Sequence, residues 1–296
     1  MSKHIVVAGS NGDLGQRIVK ALVKDGARVT ALVRVGGGTE KNDAVAALGA
    51  EPVAVDMSKV DEIAAACAGA DCVVSALAGL RDVILDAQKL VLDGAVKAGV
   101  PRFIPSDFCT DYTDLTPGEN RNFDLRRDFH KILVEAPIAS TAIFCGCFSE
   151  VLAWSVPVLN FKKKTVGYWG DPDHRIDFTS MDDTAAFTAA AALDAQSPKV
   201  LHIASFQASA NDFVAFTAKV LGTPYELVNM GSVEDLRQQN KAARAAHPEG
   251  ENELYAKWQQ SQYMQSMFSA THPKLDNTRY PEIAWTSMAE AIHLRS

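Results

Sequence analysis

Gly9-Ser10-Asn11-Gly12-Asp13-Leu14-Gly15 decides how this sequence folds. An apolar run, His4–Ala8, precedes it, and residues 14–24 follow with apolar side chains at helical spacing: Leu14, Ile18, Ala21 and Leu22. A GxxGxxG loop between a strand and a helix is the signature of a dinucleotide pyrophosphate site. Its first glycine permits the tight turn, its second lets the phosphates approach the backbone, and its third lets the helix pack close. The helix N-terminus adds free N–H groups and partial positive charge. Gly9, Ser10, Asn11, Gly12, Asp13, Leu14 and Gly15 are therefore expected to hold a cofactor.

Beyond the loop, short apolar strands alternate with helices. Strands are predicted at 28–33, 52–55, 72–76, 102–105 and 140–144, and helices at 60–68, 83–98 and 123–135. This rhythm predicts an α/β fold, a doubly wound parallel sheet of Rossmann type with right-handed crossovers. The second strand ends Leu32-Val33-Arg34. A cation there suits a ribose 2′-phosphate, whereas a carboxylate would suit a 2′-hydroxyl, so the cofactor is expected to be NADP(H). Lys41, beyond Gly36-Gly37-Gly38, adds a second charge. Asp56 ends the third strand near the expected adenine position, where capping the next helix is the competing role. Ala76 and Leu77 should pass beneath the cofactor or serve packing alone.

After about residue 150 the pattern becomes mixed. Strands are expected at 165–169 and 175–178, an Ala-rich helix capped by Asp182 or Asp183, then a strand at 199–204 and helices at 211–221, Val233–Ala246 and 252–270. The organisation predicted is a nucleotide-binding domain over 1–150 and a smaller α+β substrate-binding part over 151–296. Some late strands and helices should return to the first sheet.

Charge and cysteine usage exclude other classes. A formal charge of −7 opposes nucleic-acid binding. Lys162-Lys163-Lys164 reads as a solvated hairpin tip. The apolar stretch 141–159 contains Glu150 and Pro157 and reads as a strand and a buried helix, not a membrane span. Five cysteines without paired spacing predict free thiols, no metal and a cytoplasmic protein without a signal peptide.

Four features together, the glycine loop, Arg34, Arg102-Phe103-Ile104-Pro105-Ser106-Asp107-Phe108 and Tyr280-Pro281-Glu282-Ile283-Ala284-Trp285-Thr286-Ser287, resemble the NmrA-like atypical short-chain dehydrogenases. The branch most similar holds isoflavone reductases, phenylcoumaran benzylic ether reductases and pinoresinol-lariciresinol reductases, with its "RF-x-PSEFG" and "YPDV-x-YTT" segments. The likeness runs from about residue 3 to 292. It implies an NADPH-dependent reductase of an aromatic, phenylpropanoid-like molecule bound between the two parts, with Ser106 near the cofactor and a possible homodimer.

Two positions depart from that pattern. The family's catalytic Lys, in F-x-x-K-x-x-V-R-R, falls on Arg126, and its Asn-Cys-Phe becomes Gly146-Cys147-Phe148. Cys147 and Phe148 remain cofactor-side candidates, with buried packing as the competing role. Arginine can hold a ribose or stabilise an oxyanion but cannot give up its proton. A proton must then come from another group or from water; the candidates are His130, one turn along the same helix face, and Tyr112 on the preceding loop. Alternatively Arg126 and His130 line a solvated face with Asp124 and Asp128. Family members without the Lys include redox-sensing regulators and quinone reductases, so an NADP(H) sensor with a protein partner and a quinone reductase stand as alternatives.

Overall fold

The computed structural model describes residues 2–154, 156–270 and 274–293. In it β1 (His4–Ala8) is buried at every residue. A side chain covered on both faces must be apolar along the whole strand, and His4, the exception, hydrogen-bonds through its ring Nε2 to Thr30 Oγ1 at 2.9 Å. Helix α1 (Asp13–Lys24) follows, then β2 (Arg28–Arg34), α2 (Thr39–Ala47), β3 (Glu51–Val55), α3 (Val60–Ala66), β4 (Cys72–Ser75), α4 (Gln88–Lys97), β5 (Arg102–Ile104), α5 (Arg121–Glu135) and β6 (Ala139–Ser140). The sheet order is β3-β2-β1-β4-β5-β6. All its pairings are parallel, for example Val6↔Thr30 and Val6↔Val73. This is the doubly wound order, and its switch point lies between β1 and β4.

Two helical features were not legible from periodicity. Thr39–Ala47 is helical but buries only Val45, so it carries no apolar stripe. The expected helix over 83–98 opens with a π-helical turn, Asp82–Ala87, before α4 begins.

The chain continues with β7 (Ala142–Phe144), β8 (Cys147–Phe148), β9 (Thr165–Tyr168), β10 (Ile176–Thr179), α6 (Met181–Leu193), β11 (Val200–His202), β12 (Phe206–Ala208), α7 (Ala210–Val220), β13 (Glu226–Asn229), α8 (Val233–Ala246), α9 (Lys257–Ser269) and α10 (Met288–His293). Two compact units result. One comprises Met1–Phe108, Leu125–Ile143 and Thr184–Leu201, the other Cys109–Asp124, Phe144–Asp183 and His202–Ser296. The division therefore falls at several points along the chain: residues 109–124 and 144–150 group with the second unit, and 184–201 with the first.

The late strands do not join the six-stranded sheet. Instead β11 pairs with β7 and forms a separate ladder, because β6 and β7 are successive pieces of one extended run broken at Thr141. Thr141 donates its N–H to Phe103 O, and Ala142 donates to Lys199 O. Arg102 secures the same returning segment in the first unit. Its guanidinium donates to Ala195 O at 3.2 Å, Ser197 O at 3.3 Å and Thr141 Oγ1 at 2.6 Å, satisfying carbonyls just past the end of α6. The core of this unit gathers around Val6, Ile63, Val73, Leu92, Phe103 and Phe129.

In the second unit β12-β10-β8 form a three-stranded sheet and β13-β9 a pair. Their core holds Leu152, Phe178, Phe213, Met267 and Phe268. The stretch 141–159, expected as a strand and a buried helix, folds as two strands, β7 and β8, and a short 3-10 helix, Ser149–Trp154; Ser155 lies outside the described residues. The cap of α6 is Ser180, whose Oγ accepts from Asp183 N at 3.0 Å. Asp182 and Asp183, the two expected caps, lie inside the helix, and Asp183 accepts from Ser205 Oγ and, at 2.8 Å, from Thr286 N. The last long helix begins at Lys257, later than expected, after a 3-10 turn at Pro248–Asn252. Trp258, Met267 and Phe268 are core residues, while Tyr255 is 75% exposed. Lys162, Lys163 and Lys164 cap an exposed turn closed by the Asn160↔Thr165 bridge. Among the described residues no helix is long and apolar enough to cross a membrane.

The closest backbone approach in the first unit is at Gly15, where a Cβ would lie 2.1 Å from Gly9 O and 2.8 Å from Gly9 C. Gly15→Ala should therefore destabilise the chain by about 1–3 kcal/mol, the cost of overpacking a tight contact. A lower urea midpoint at unchanged m-value checks this.

Candidate functional site

Three glycines of the loop serve three different needs. Gly9 has φ +79, and a Cβ on it would lie 2.6 Å from Ala76 O, so the turn presses directly onto the chain leaving β4. Gly15 brings α1 against the turn. Gly12 is different: a Cβ there would meet only Gly9 O, at 3.3 Å, and otherwise open space. It is also the N-cap of α1, and as glycine it offers no side chain to the helix's first N–H groups. Open space above uncapped N–H donors fits a pyrophosphate. The acidic residue of this first turn, Asp13, is paired with Arg17 at 2.7 Å, which offsets the charge it would set against an anion.

The other loop residues divide by direction. Ser10 is fully buried and its Oγ donates to Leu32 O at 3.3 Å, so its side chain is turned into the sheet. Asn11 points the other way: its Nδ2 donates to Asn42 Oδ1 at 3.1 Å, mooring α2 to the loop, while its buried Oδ1 has no partner. Sequence reasoning missed Asn42 because it missed α2. Leu14 is half-buried on the first turn of α1.

At the end of β2, Arg34 is exposed, and the Gly37 N–H donates to its carbonyl at 2.9 Å, reversing the chain. Lys41 is exposed in the first turn of α2, next to the Asn42 mooring point. Neither cation makes a side-chain ion pair with the described residues, so both are available to an anionic group. Asp56 is occupied locally. Its Oδ1 accepts from Ser58 N at 3.0 Å and Ser58 Oγ at 2.7 Å, bonds that hold its carboxyl below the usual range. That turn leads into α3, so Asp56 shapes the turn before the helix.

The floor of the site is built at the carboxyl ends of β4 and β5. Ala76 N donates to Ala8 O at 2.8 Å, continuing the ladder past β4. Ser106 then ties the loops together: its Oγ donates to Leu77 O at 2.6 Å and its N–H to Gln88 Oε1 at 2.9 Å. Gln88, only 1% exposed, also donates to Ile84 O inside the π-helical turn, at 2.9 Å. Nothing in the sequence marked Gln88; a polar residue in an otherwise apolar helix register is the one signal it left.

Arg126 and His130 do not line a solvated face. Arg126 Nε donates to Ser106 O at 2.9 Å, and His130 Nε2 lies 2.5 Å from Asp107 Oδ2. The Asp107 side chain is 2% exposed and that of His130 29%. One face of α5 is thus docked on the β5 loop by two polar contacts a helical turn apart. The two acids expected beside them are engaged elsewhere. Asp128 pairs with Lys131 at 2.7 Å, and Asp124 accepts from Gly118 N within the second unit.

In the second unit the structure corrects Tyr112. It is 2% exposed, edge-on to Phe144 at 5.4 Å and against Phe123 at 5.7 Å, so it is a core aromatic and not an accessible proton source. Gly146 has φ +63, and a Cβ there would lie 2.3 Å from Asp177 O. The polar side chain missing from this position has no room here. Cys147 and Phe148 form β8 alongside Phe178 and Thr179 of β10. None of the five cysteines is in a disulfide, and among the described residues no cluster of His, Cys, Asp and Glu fits a metal.

The comparisons bear on family and fold. The model of the NmrA-like family matches residues 1–284. Pinoresinol reductase 2 of Arabidopsis thaliana is 28% identical over 200 residues, covering 63% of this chain and 63% of the relative, so the match spans less than two thirds of that protein. Among solved structures, AtPrR2 with NADP+ and (+)pinoresinol superposes with a TM-score of 0.82 at 22% identity, covering 100% of this chain and 99% of that one. An isoflavone reductase superposes with a TM-score of 0.82 at 19% identity over 100% of both chains.

Burial pushes the thiols of Cys67, Cys72 and Cys147 up to about 12, with Glu150 adding to the effect at Cys147. Burial favours their protonated form in the folded state, so this stability is complete below the ordinary thiol value near 9 and is lost as pH rises from there toward about 12. Iodoacetamide at pH 8 should leave these three unlabelled in the folded protein and label all of them in urea, as read by peptide mass spectrometry. Rapid labelling of Cys147 in the folded protein would assign it an accessible, reactive thiol.

Proposed function

Because the chain belongs to the NmrA-like family, we propose that it is an NADPH-dependent reductase of an aromatic, phenylpropanoid-like small molecule. The observation that carries this reading is the open, uncapped N-terminus of α1 at Gly12, together with the exposed cations Arg34 and Lys41, which make no ion pair among the described residues. The residues present fit the cofactor. The first turn of α1 supplies N–H donors to a pyrophosphate, and Arg34 and Lys41 bracket the turn where a ribose 2′-phosphate would sit. Bound NADPH would supply a hydride.

The chain itself must supply position, charge and a proton. Ser106, held by Leu77 O and Gln88, fixes the loop after β5 at the carboxyl ends of the strands, where open α/β sheets bind ligands. Arg126 is anchored through Nε to that loop and gives it a permanent positive charge, suited to a developing oxyanion or to a ribose hydroxyl. It cannot donate a proton at working pH. His130, on the same face of α5 and partly accessible, is the titratable group that can. Ser106, Arg126 and His130 thus divide positioning, charge and proton supply among three residues.

A second reading is favoured by one observation, the permanent cation Arg126 at the family's lysine position: an NADP(H)-sensing protein that binds nucleotide and a protein partner without turnover. A quinone is the competing substrate class within the reductase reading. Loss of NADPH absorbance with pinoresinol as benzylic ether, phenanthrenequinone as quinone, and an aromatic enone separates these outcomes. Turnover of none of them, with tight NADPH binding, would favour the sensor.

Charge-assisted hydrogen bonds contribute roughly 1.5–3 kcal/mol, so Arg34→Ala should weaken NADPH binding by about 10- to 100-fold and leave NADH binding nearly unchanged. Equal affinity of the unmodified protein for both nucleotides, measured calorimetrically, would sink the phosphate assignment. Gly12→Val should retain the circular dichroism spectrum and lose nucleotide binding altogether, because the space its side chain enters is free of protein atoms beyond Gly9 O.

A further inference from the structure

The link from β2 to α2 does little to place that helix. Val35 is exposed, and around Gly36 and Gly38 no atom beyond the neighbouring residues lies within 4 Å of where a Cβ would stand. Nothing wedges this turn against the rest of the first unit, and its glycines leave it many conformations. The far end of α2 is set by packing: Val45 is buried, and a Cβ on Gly49 would lie 3.0 Å from Val23 Cγ1 of α1. At the near end the first turn makes one side-chain hydrogen bond among the described residues, from Asn11 Nδ2 to Asn42 Oδ1 at 3.1 Å. The Asn11 end of that bond is firm. Its carbonyl accepts from Gln16 Nε2 of α1 at 3.3 Å, and Gly12 N donates to Gly9 O at 3.0 Å.

We propose that Asn42 is a positioning residue for nucleotide selectivity: tied to Asn11, it fixes the first turn of α2 so that Lys41, and not a neighbouring carboxylate, meets the ribose 2′-phosphate. That turn reads Glu40-Lys41-Asn42-Asp43, one cation between two acids. Successive residues of an α-helix point about 100° apart. A modest rotation of α2 about its axis therefore sets a carboxylate before the anion in place of the ammonium, turning attraction into repulsion. Asn42, half-buried and uncharged, holds the helix without adding a charge of its own. Its Cα stands about 3.8 Å from that of Lys41, so fixing one fixes the stem of the other. Arg34 needs no such tie, because its backbone is set by the sheet, in register with Val55 of β3. Of the two cations, one is thus placed by strand pairing and the other by an amide contact. This inference rests on the NADPH reading of the site but not on turnover.

The experiment has two arms. Calorimetric Kd values for NADPH and NADH are measured for the unmodified protein, Asn42→Ala, Lys41→Ala and the double variant. Separately, limited trypsin digestion without nucleotide, read by peptide mass spectrometry, reports how firmly the turn around Lys41 is held. Asn42→Ala should weaken NADPH binding by about 3- to 10-fold, the scale of one neutral hydrogen bond, and change NADH binding by less than about twofold. Once Lys41 is Ala, Asn42→Ala should weaken NADPH no further, since the contact it places is gone. Cleavage after Lys41 should be faster in Asn42→Ala at an unchanged circular dichroism spectrum, and slow again in Asn42→Asp, which keeps the acceptor for Asn11. Equal weakening of NADPH and NADH in Asn42→Ala, unchanged NADPH affinity, or the same loss with Lys41→Ala already present would overturn the inference. So would cleavage after Lys41 at an unaltered rate. If the unmodified protein does not discriminate between NADPH and NADH, the cofactor reading fails and takes the selectivity role with it. A discrimination that is present in the unmodified protein and survives Asn42→Ala overturns the role of Asn42 alone.

Discussion

The first unit is organised by one backbone contact, the stacking of Gly9 between the chain leaving β4 and the first turn of α1. A Cβ at Gly9 would collide with Ala76 O and one at Gly15 with Gly9 O, so three chain segments meet with no side chain between them. That approach brings the carboxyl ends of β1 and β4 together at the switch point and sets the α1 N-terminus over them. Gly12 sits in the same loop but faces open space. A single heptapeptide thus divides its glycines between folding and function, and only the geometry around each separates the two uses.

Ser106 is the second junction. One residue uses its N–H, hydroxyl and carbonyl to hold α4, the β4 loop and α5. The bond to Gln88 is buried and the other two are partly buried; a buried group left unpaired would cost about 1–3 kcal/mol. The loop after β5 is therefore rigid without regular secondary structure. Rigid placement keeps the side chains that contact this loop, Arg126 and His130, in fixed positions.

The parallel sheet and its nucleotide loop were legible because each rests on a local rule: apolar strands, helical spacing, glycines at a strand-to-helix junction. What escaped the sequence has no local signature. Helix α2 buries Val45 alone, so no periodicity announces it, and with it went the Asn11–Asn42 contact that brings Lys41 to the loop. Tyr112 reads as a loop phenol, yet packing against Phe123 and Phe144 from distant segments makes it core. Arg126 was marked by the family resemblance and His130 by its spacing from Arg126, but their partners, Ser106 and Asp107, depend on how α5 docks, a tertiary fact. The return of 184–201 to the first unit depends on Arg102 reaching carbonyls more than ninety residues away.

Gly146 and Arg126, the two departures from the family pattern, have different physical causes. At Gly146 the left-handed backbone and the Asp177 carbonyl leave no volume for a side chain, so the loss of a polar group follows from how β10 packs beside β8. At Arg126 nothing forbids another residue; the guanidinium earns its place through a planar fork that can donate Nε to Ser106 O while its charge persists at every accessible pH. Lysine would offer a titratable point charge instead. Exchanging one for the other separates two duties that lysine combines, electrostatic stabilisation and proton transfer, and leaves the second to whichever neighbouring group can titrate. On this face of α5 His130 lies one turn from Arg126 and is held by the loop that Arg126 itself anchors, so the two side chains form a single arrangement.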